Sequence, residues 1–483
     1  VNINPFNTIK EWSELLTKKE ITTSEITQLY RQRFARYDKE LGSALELFDI
    51  ESTGEQNATH KAPLSGIPGL IKDNICQQGH ITSCASKILE HYKAPYDATV
   101  ITRLKQAGGI MLGRANMDEF AMGSSTETSA YQKTVNPWDH TKVPGGSCGG
   151  SAAAVAAGLV PWALGSETGG SIRQPAALCG IVGFRPTYGL VSRYGLVAYG
   201  SSLDQIAPIT RTVYDNALIL SIIAGHDDYD STSTATSKYS FTQELTGSIR
   251  SGITIGVIQN FMEAPGIDPQ VLKALQEVLD TYQKMGATIK YVTLPSVNYS
   301  AAIYFMISRA EAASNLSRFD GIRYGSRGTG ITNLSELYEK TRQQLFGAEV
   351  KRRILLGNYV LSAGHADRYY QSARIMRQVM RDELYESFKD VDLLFAPVSP
   401  TAAFSLGAFD NDRLTMDLQD LFTAPSSLTG TPALSIPCGF TNEHLPIGFQ
   451  LMGPDYSESL LYQTGHAYQM ATDWHTRYPA IYL

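Results

Sequence analysis

The sequence predicts an α/β protein, and three observations carry that reading. From Gly66 onward, short apolar runs alternate with stretches of helical periodicity. Residues 151–158 read as a helix of small side chains, able to sit tightly on a sheet, and residues 160–164 follow as a strand. Further along, a strand at 253–258, a helix at 268–285 and a strand at 287–292 repeat the same order.

The elements follow in turn. Residues 5–40 are predicted helical. Thr22-Thr23-Ser24-Glu25 has the form of a capping box, and Ile26, Leu29 and Tyr30 recur behind it at helical spacing. The polar stretch 51–63 reads as a linker or surface loop. Residues 100–107 form a helix and 110–113 a buried strand. Residues 228–250 are rich in Ser and Thr and read as an exposed excursion. Asp268 caps the helix that Pro269 opens. Residues 303–385 are mostly helical, and 391–395, 433–436 and 448–452 are late strands. There is no internal repeat. The expected division is an N-terminal helical segment at 1–60 packed on the core and a main domain at 61–483, within which 250–390 is a candidate helix-rich subdomain.

Composition narrows the function. A chain of 483 residues with 43% hydrophobic residues can bury a large core. Its net charge of −6 argues against it carrying the main surface for a nucleic acid. Five cysteines, odd in number and without metal-ligand spacing, fit free thiols in a reducing, cytoplasmic setting. No secretory signal pattern and no run of about 18 apolar residues is present, so no membrane association is expected.

Three glycine-punctuated stretches carry the chemistry. They are Gly66-Ile-Pro-Gly-Leu-Ile-Lys72-Asp73-Asn74, Gly145-Gly-Ser147-Cys148-Gly-Gly-Ser151 and Gly165-Ser-Glu167-Thr168-Gly169-Gly170-Ser171-Ile-Arg173. A serine hydroxyl needs a base to act as a nucleophile. A lysine in its neutral form can be that base, and burial or nearby positive charge favours that form. Ser147, set between Lys72 and Ser171, can relay the proton. The paired glycines let backbone approach a substrate closely. Successive N–H groups of Thr168, Gly169, Gly170 and Ser171 can form a nest for a developing oxyanion. The set can cleave an amide without histidine.

Each stretch also has a plainer reading. A Gly/Ser-rich segment alone suits a flexible linker equally well; its run into a small-residue helix counts against that. It lacks the Gly-Lys-Ser/Thr ending of a P-loop. Lys72 beside Asp73, in isolation, suits a surface ion pair. Ser171 could simply cap the next segment, and Cys148 reads as a packed thiol.

Taken with the runs Asn116-Met-Asp-Glu-Phe-Ala-Met-Gly-Ser-Ser-Thr126, Thr134-Val-Asn-Pro-Trp138, Ser201-Ser-Leu-Asp-Gln205 and Ser314-Asn-Leu-Ser-Arg-Phe-Asp-Gly-Ile-Arg-Tyr-Gly325, these stretches resemble the amidase signature family from about residue 10 to 475. Those runs look most like the branch that supplies glutaminase subunits to glutamyl-tRNA(Gln)/aspartyl-tRNA(Asn) amidotransferases. The resemblance implies a central mixed, twisted β-sheet covered by helices on both faces. It makes Ser171 the nucleophile, Ser147 the bridging serine after a cis peptide bond, and Lys72 the base. It puts the oxyanion hole at Thr168, Gly169 and Gly170. Two positions depart from the family pattern. Cys148 stands where serine is usual, and Glu167 where aspartate is usual; Glu167 is expected to pair with Arg173.

The substrate so implied is free glutamine. Arg353 matches the residue that takes its carboxylate, Asp420 the one that takes its ammonium, and Tyr304 a tyrosine lining the pocket. Composition alone would make Arg353 and Asp420 ordinary helix or loop charges. The resemblance further implies no cofactor in this chain. It implies the B and C subunits of the amidotransferase as partners in a heterotrimer, with ATP, Mg²⁺ and the mischarged tRNA held mainly by the B subunit. The ammonia would convert Glu-tRNA(Gln), Asp-tRNA(Asn) or both. Two alternatives stand beside this. One is a free-standing amidase acting on small or fatty amides. The other is an assembly scaffold without chemistry, against which the intact Lys72, Ser147 and Ser171 speak.

Overall fold

Capping boxes start the first two helices. The Glu11 N–H donates to the Thr8 hydroxyl at 3.1 Å, while the Glu11 carboxylate accepts the Thr8 N–H at 2.7 Å. Thr22 and Glu25 repeat the exchange at 3.2 and 2.8 Å, as their spacing predicts. The helices Ile9–Thr17 and Thr23–Leu41 bury Ile9, Trp12, Leu16, Ile26, Tyr30 and Phe34 in the main core. The computed structural model describes residues 3–49, 62–235 and 240–483. The polar stretch 51–63 therefore lies almost wholly outside the described residues.

The N-terminal segment is not helical alone, because β1 (Ala44–Leu47) follows its second helix and joins the sheet. The other strands are β2 (Pro68–Lys72), β3 (Ile110–Ala115), β4 (Trp162–Glu167), β5 (Val182–Arg185), β6 (Gln205–Thr210), β7 (Thr254–Ile258), β8 (Thr288–Val292), β9 (Leu393–Pro397), β10 (Ala433–Phe440) and β11 (Pro446–Met452). Among the described residues they form one sheet of eleven strands in the order β1-β3-β2-β4-β6-β5-β10-β11-β9-β7-β8. It is mixed: β2 runs parallel to β3 and β4, and β7 to β8 and β9, while the remaining pairs are antiparallel.

Helices cover both faces, and β10 shows how. Ser435 donates to the carbonyl of Arg173 in the helix Arg173–Cys179. Its neighbours Leu434 and Ile436 instead pack on Gly465 of the helix Glu458–Ala471. Alternate residues of a strand point to opposite faces, so each of these helices lies on a different face. Strands β2, β3, β4 and β6 are buried along their whole length, as strands covered on both sides must be.

Residues 250–390 supply β7 and β8 to the same sheet, together with the helices Pro269–Lys284, Ser300–Asn315, Leu334–Leu345, Ala348–Leu361 and Ser372–Ser387. Asp268 caps the first of these by accepting the Gln270 N–H at 2.8 Å. The Ser/Thr-rich excursion is pinned at its start. Asp230 accepts the Arg193 N–H at 2.8 Å, and the Thr234 N–H donates to the Gly189 carbonyl at 3.0 Å.

The fold gathers the three glycine-punctuated stretches at one place. Parallel neighbours β2 and β4 are in register at Ile71 and Leu164, so Lys72 at the end of β2 reaches the Ser166 carbonyl near the end of β4. The loop carrying Ser147 leads into the helix Gly149–Ala156, which packs on β2, β4 and β6. The carboxyl ends of parallel strands are where open α/β sheets bind ligands.

Candidate active site

Lys72 is a buried lysine, not a surface one. Its Nζ lies 2.7 Å from Ser147 Oγ, 3.0 Å from Cys148 Sγ and 3.0 Å from the Ser166 carbonyl. The adjacent Asp73 does not pair with it; that carboxylate binds Arg114 at 2.9 Å and the Ser83 hydroxyl. The peptide bond Gly146–Ser147 is cis, as the resemblance implies. Gln174 fixes this loop by accepting the Gly146 N–H at 2.9 Å, and the Ser147 carbonyl accepts the Asp118 N–H at 3.3 Å. Cys148 is more than packing. It shares the Ser166 carbonyl with Lys72, at 3.1 Å, and burial pushes its thiol pKa up, so it remains a thiol.

Ser171 is held against the same loop, its carbonyl accepting the Cys148 N–H at 3.2 Å. Of the three residues it is the most accessible, at 6% against 0% for Lys72 and Ser147, which is the order a nucleophile and its relay require. Between β4 and the following helix, the N–H groups of Gly169, Gly170 and Ser171 donate to no acceptor among the described residues. They are free to receive an oxyanion. Both glycines are needed for the fit. A Cβ at Gly169 would come within 2.5 Å of the Tyr304 ring, and one at Gly170 within 2.2 Å of the Thr423 hydroxyl. Thr423 in turn donates to the Gly169 carbonyl at 2.7 Å, and the Thr168 hydroxyl donates to Asp204 at 2.6 Å.

Glu167 underpins this turn. It accepts from Arg173 Nε at 3.0 Å and Nη2 at 2.5 Å, and from the N–H groups of Ile172 and Arg173 at 3.2 Å each. The pairing with Arg173 expected from the sequence is present. Arg185, not anticipated, lies 3.6 Å away as a second cation. Burial alone would raise the Glu167 pKa, but the two guanidiniums overcome it and hold the carboxyl below its usual range.

The three substrate-binding candidates lie on other elements but reach the same turn. Tyr304, on the helix Ser300–Asn315, packs over Gly169. Asp420 accepts the Ser124 hydroxyl at 3.1 Å through one oxygen, while its other oxygen, beside Gly170, is buried without a hydrogen-bond partner among the described residues. Burial pushes its carboxyl up to about 7. Arg353 is buried, not a surface helix charge. It binds Glu349 at 2.6 Å and the Tyr199 hydroxyl at 2.8 Å, and its Nη2 lies 3.6 Å from Asp417. A cavity of about 100 Å³, lined among others by Ser124, Arg353 and Asp417, adjoins Asp420. Sequence reasoning did not reach Tyr199, Asp417 or Thr423. Asp417, three residues before Asp420, carried the one available signal.

An eleven-stranded mixed sheet that brings a buried lysine, a cis-linked serine and a second, less deeply buried serine together has the arrangement of an amidase site. A family model described as Amidase matches residues 25–462. The chain belongs to the amidase family. Its relatives include proteins named as the A subunit of glutamyl-tRNA(Gln) amidotransferase. That of Geobacillus sp. (strain WCH70) is 47% identical over 98% of this chain and 99% of its own. That of Listeria innocua serovar 6a is 48% identical over 98% of each. The crystal structure of the Thermotoga maritima A subunit matches with a TM-score of 0.82 and 40% identity, over 96% of this chain and 94% of that one. The native peptide amidase from Stenotrophomonas maltophilia matches with a TM-score of 0.80 and 29% identity, over 96% and 97%. The motif-based resemblance, the α/β class and the helix-flanked sheet are thereby borne out.

Proposed function

We propose that this chain is the glutaminase subunit of a tRNA-dependent amidotransferase. It hydrolyses glutamine to glutamate and ammonia, and the ammonia passes to a partner subunit that amidates Glu-tRNA(Gln), Asp-tRNA(Asn) or both. The near-full-length likeness to proteins named as amidotransferase A subunits supports membership of such an assembly. In the proposed complex the partners are the B and C subunits, with ATP, Mg²⁺ and tRNA held mainly by the former. The observation that carries the chemistry is the buried 2.7 Å contact between Lys72 Nζ and Ser147 Oγ.

The relay requires Lys72 as a free amine, with two N–H donors and one lone pair. Its Nζ lies within hydrogen-bond reach of the Ser166 carbonyl, the Cys148 sulfur and Ser147 Oγ. In the relay the first two accept its N–H groups and the lone pair receives the Ser147 proton. Ser171 Oγ attacks the side-chain amide carbon of glutamine. Its proton goes to Ser147, which passes its own proton to Lys72. The carbonyl oxygen becomes an anion and is met by the backbone N–H groups of the turn Thr168, Gly169, Gly170 and Ser171. Lys72 returns the proton through Ser147 to the leaving nitrogen, the C–N bond breaks, and ammonia departs from a glutamyl ester on Ser171. Water, activated by the same relay, releases glutamate.

The substrate's charged end supports the choice of glutamine. The unpartnered Asp420 oxygen is an acceptor awaiting a cation, and Arg353 supplies a positive charge for a carboxylate. A free-standing amidase acting on uncharged amides has no use for both. The discriminating experiment compares hydrolysis of glutamine and of an uncharged amide by wild type and Arg353→Ala, each with and without the B and C subunits. Selective loss of glutamine turnover supports the reading. Equal loss on both substrates, or none on either, refutes it.

A further inference from the structure

A second cavity, of about 430 Å³, is lined by none of the residues assigned to catalysis or glutamine binding; Arg374, Arg377, Arg381, Tyr456 and Asp455 are among its walls. The three arginines sit at i, i+3 and i+7 on the helix Ser372–Ser387, so they share one face. Two of them are held in place. Arg377 donates to the Leu428 carbonyl, to Ser202 Oγ at 2.8 Å and to the Ser202 carbonyl at 3.0 Å. Arg381 donates to the Thr429 carbonyl and to Asp455 at 2.6 Å.

Most of these partners are neutral oxygens, which orient a guanidinium without cancelling its charge. Asp455 is the one carboxylate in the lining, already paired with Arg381. Acids behind the lining are engaged: Glu311 accepts the Ser202 N–H at 2.9 Å and hydroxyl at 2.6 Å, Glu458 accepts the Thr187 N–H at 2.8 Å and hydroxyl at 2.6 Å, and Asp382 accepts Gln378 Nε2 at 2.8 Å. Three guanidiniums therefore face one carboxylate, in a chain whose overall charge is −6. Arg374 is exposed, bonding Gln371 at 3.2 Å, and has donors to spare. The second oxygen of Asp455 is buried without a hydrogen-bond partner among the described residues, and Tyr456 is 47% exposed. A fitting ligand brings negative charge for the arginines and a hydrogen-bond donor for Asp455.

We propose that this cavity binds a phosphate group that carries or adjoins a hydroxyl, in a ribonucleotide chain or a free small phosphate. Guanidinium suits phosphate because its planar fork matches two oxygens at once. Arginines already fixed by carbonyls lose little freedom on binding, which lowers the ordering cost.

Calorimetric titration of the full chain at low salt tests this, with inorganic phosphate in one arm and a short single-stranded oligoribonucleotide in the other. Wild type is expected to bind at least one probe saturably. Arg374→Gln, which removes an exposed side chain, is expected to weaken that binding about tenfold. Its glutamine turnover and melting temperature should stay unchanged, and Ser171→Ala should bind as wild type does. Tighter binding of the oligoribonucleotide assigns the site to an RNA backbone; equal or tighter binding of phosphate assigns it to a small phosphate. Absence of saturable binding of either probe, or the same affinity in Arg374→Gln, overturns the proposal.

Discussion

Lys72 owes its role to its neighbours more than to its own chemistry. Sequence alone suits a surface ion pair with Asp73. The structure gives Asp73 to Arg114 and points Lys72 inward at Ser147. Glu167 is similarly committed, between two buried cations. Glu167→Ala leaves both guanidiniums uncompensated and is expected to cost about 3–5 kcal/mol in denaturant unfolding. Asp420 gives a pH signature. Burial pushes its carboxyl up to about 7, and under the proposed function the substrate ammonium requires its ionised form, so KM for glutamine should rise as pH falls below that value. Asp420→Asn should show a raised KM at every pH and no such limb. The triad was legible because few chemistries need a lysine and two serines among paired glycines. Tyr199 and Asp417 were not, because an ordinary tyrosine and aspartate become notable only when tertiary packing sets them beside Arg353.

At the scale of elements, the catalytic turn works because nothing larger than hydrogen fits at its two glycines. Gly169→Ala drives a methyl into Tyr304, and displacement of the turn is expected to lower kcat/KM about 100-fold while the circular dichroism spectrum stays native. The N-terminal helices are set by local signals. Thr22→Ala should cost about 1 kcal/mol in thermal or chemical unfolding, since the exchange with Glu25 is lost. Such local signals explain which elements could be read in advance. The capping box, the Asp268-Pro269 start and the runs behind β3, β7 and β8 all declare themselves within a few residues. β5 and β6 did not, because Val182–Arg185 is short and Pro208 interrupts β6, and their pairing with β10 and β4 comes from distant sequence. The helix Gly149–Ala156 starts two residues before its predicted beginning, inside the glycine pair, since packing on β2 and β4 overrides the weak helix propensity of glycine.

The whole molecule is organised by one sheet, which ties the helix-rich span 250–390 to the catalytic half through the pairing of β7 with β9 and of β9 with β11. Its buried acids set the pH dependence of stability. Burial pushes Glu119 up to about 7, and Asp204 and Asp215 up to about 6. The folded chain thus binds more protons than the unfolded chain between those values and the ordinary carboxylate range. Stability from these groups is fully present below that range and is lost as pH rises through about 6 to 7. Glu349 runs the other way. Its pKa, held at about 2 by Arg352 and Arg353 against burial, gives stability that is lost only in acid. Burial lowers His80, His466 and His475, which act in the opposite sense over the same interval, so the acids' share is read by comparison: melting temperature should fall more, or rise less, between about pH 5.5 and about pH 8 in wild type than in Glu119→Gln, and an identical profile would contradict this.

The central claim is that Ser171, served by Ser147 and Lys72, carries the acyl group. Mass spectrometry of the chain quenched in acid during glutamine turnover tests it most directly. A glutamyl adduct is expected on the peptide bearing Ser171, absent in Ser171→Ala and in Lys72→Ala. Glutamine turnover that persists in Ser171→Ala, or an adduct carried by Cys148, would contradict the account.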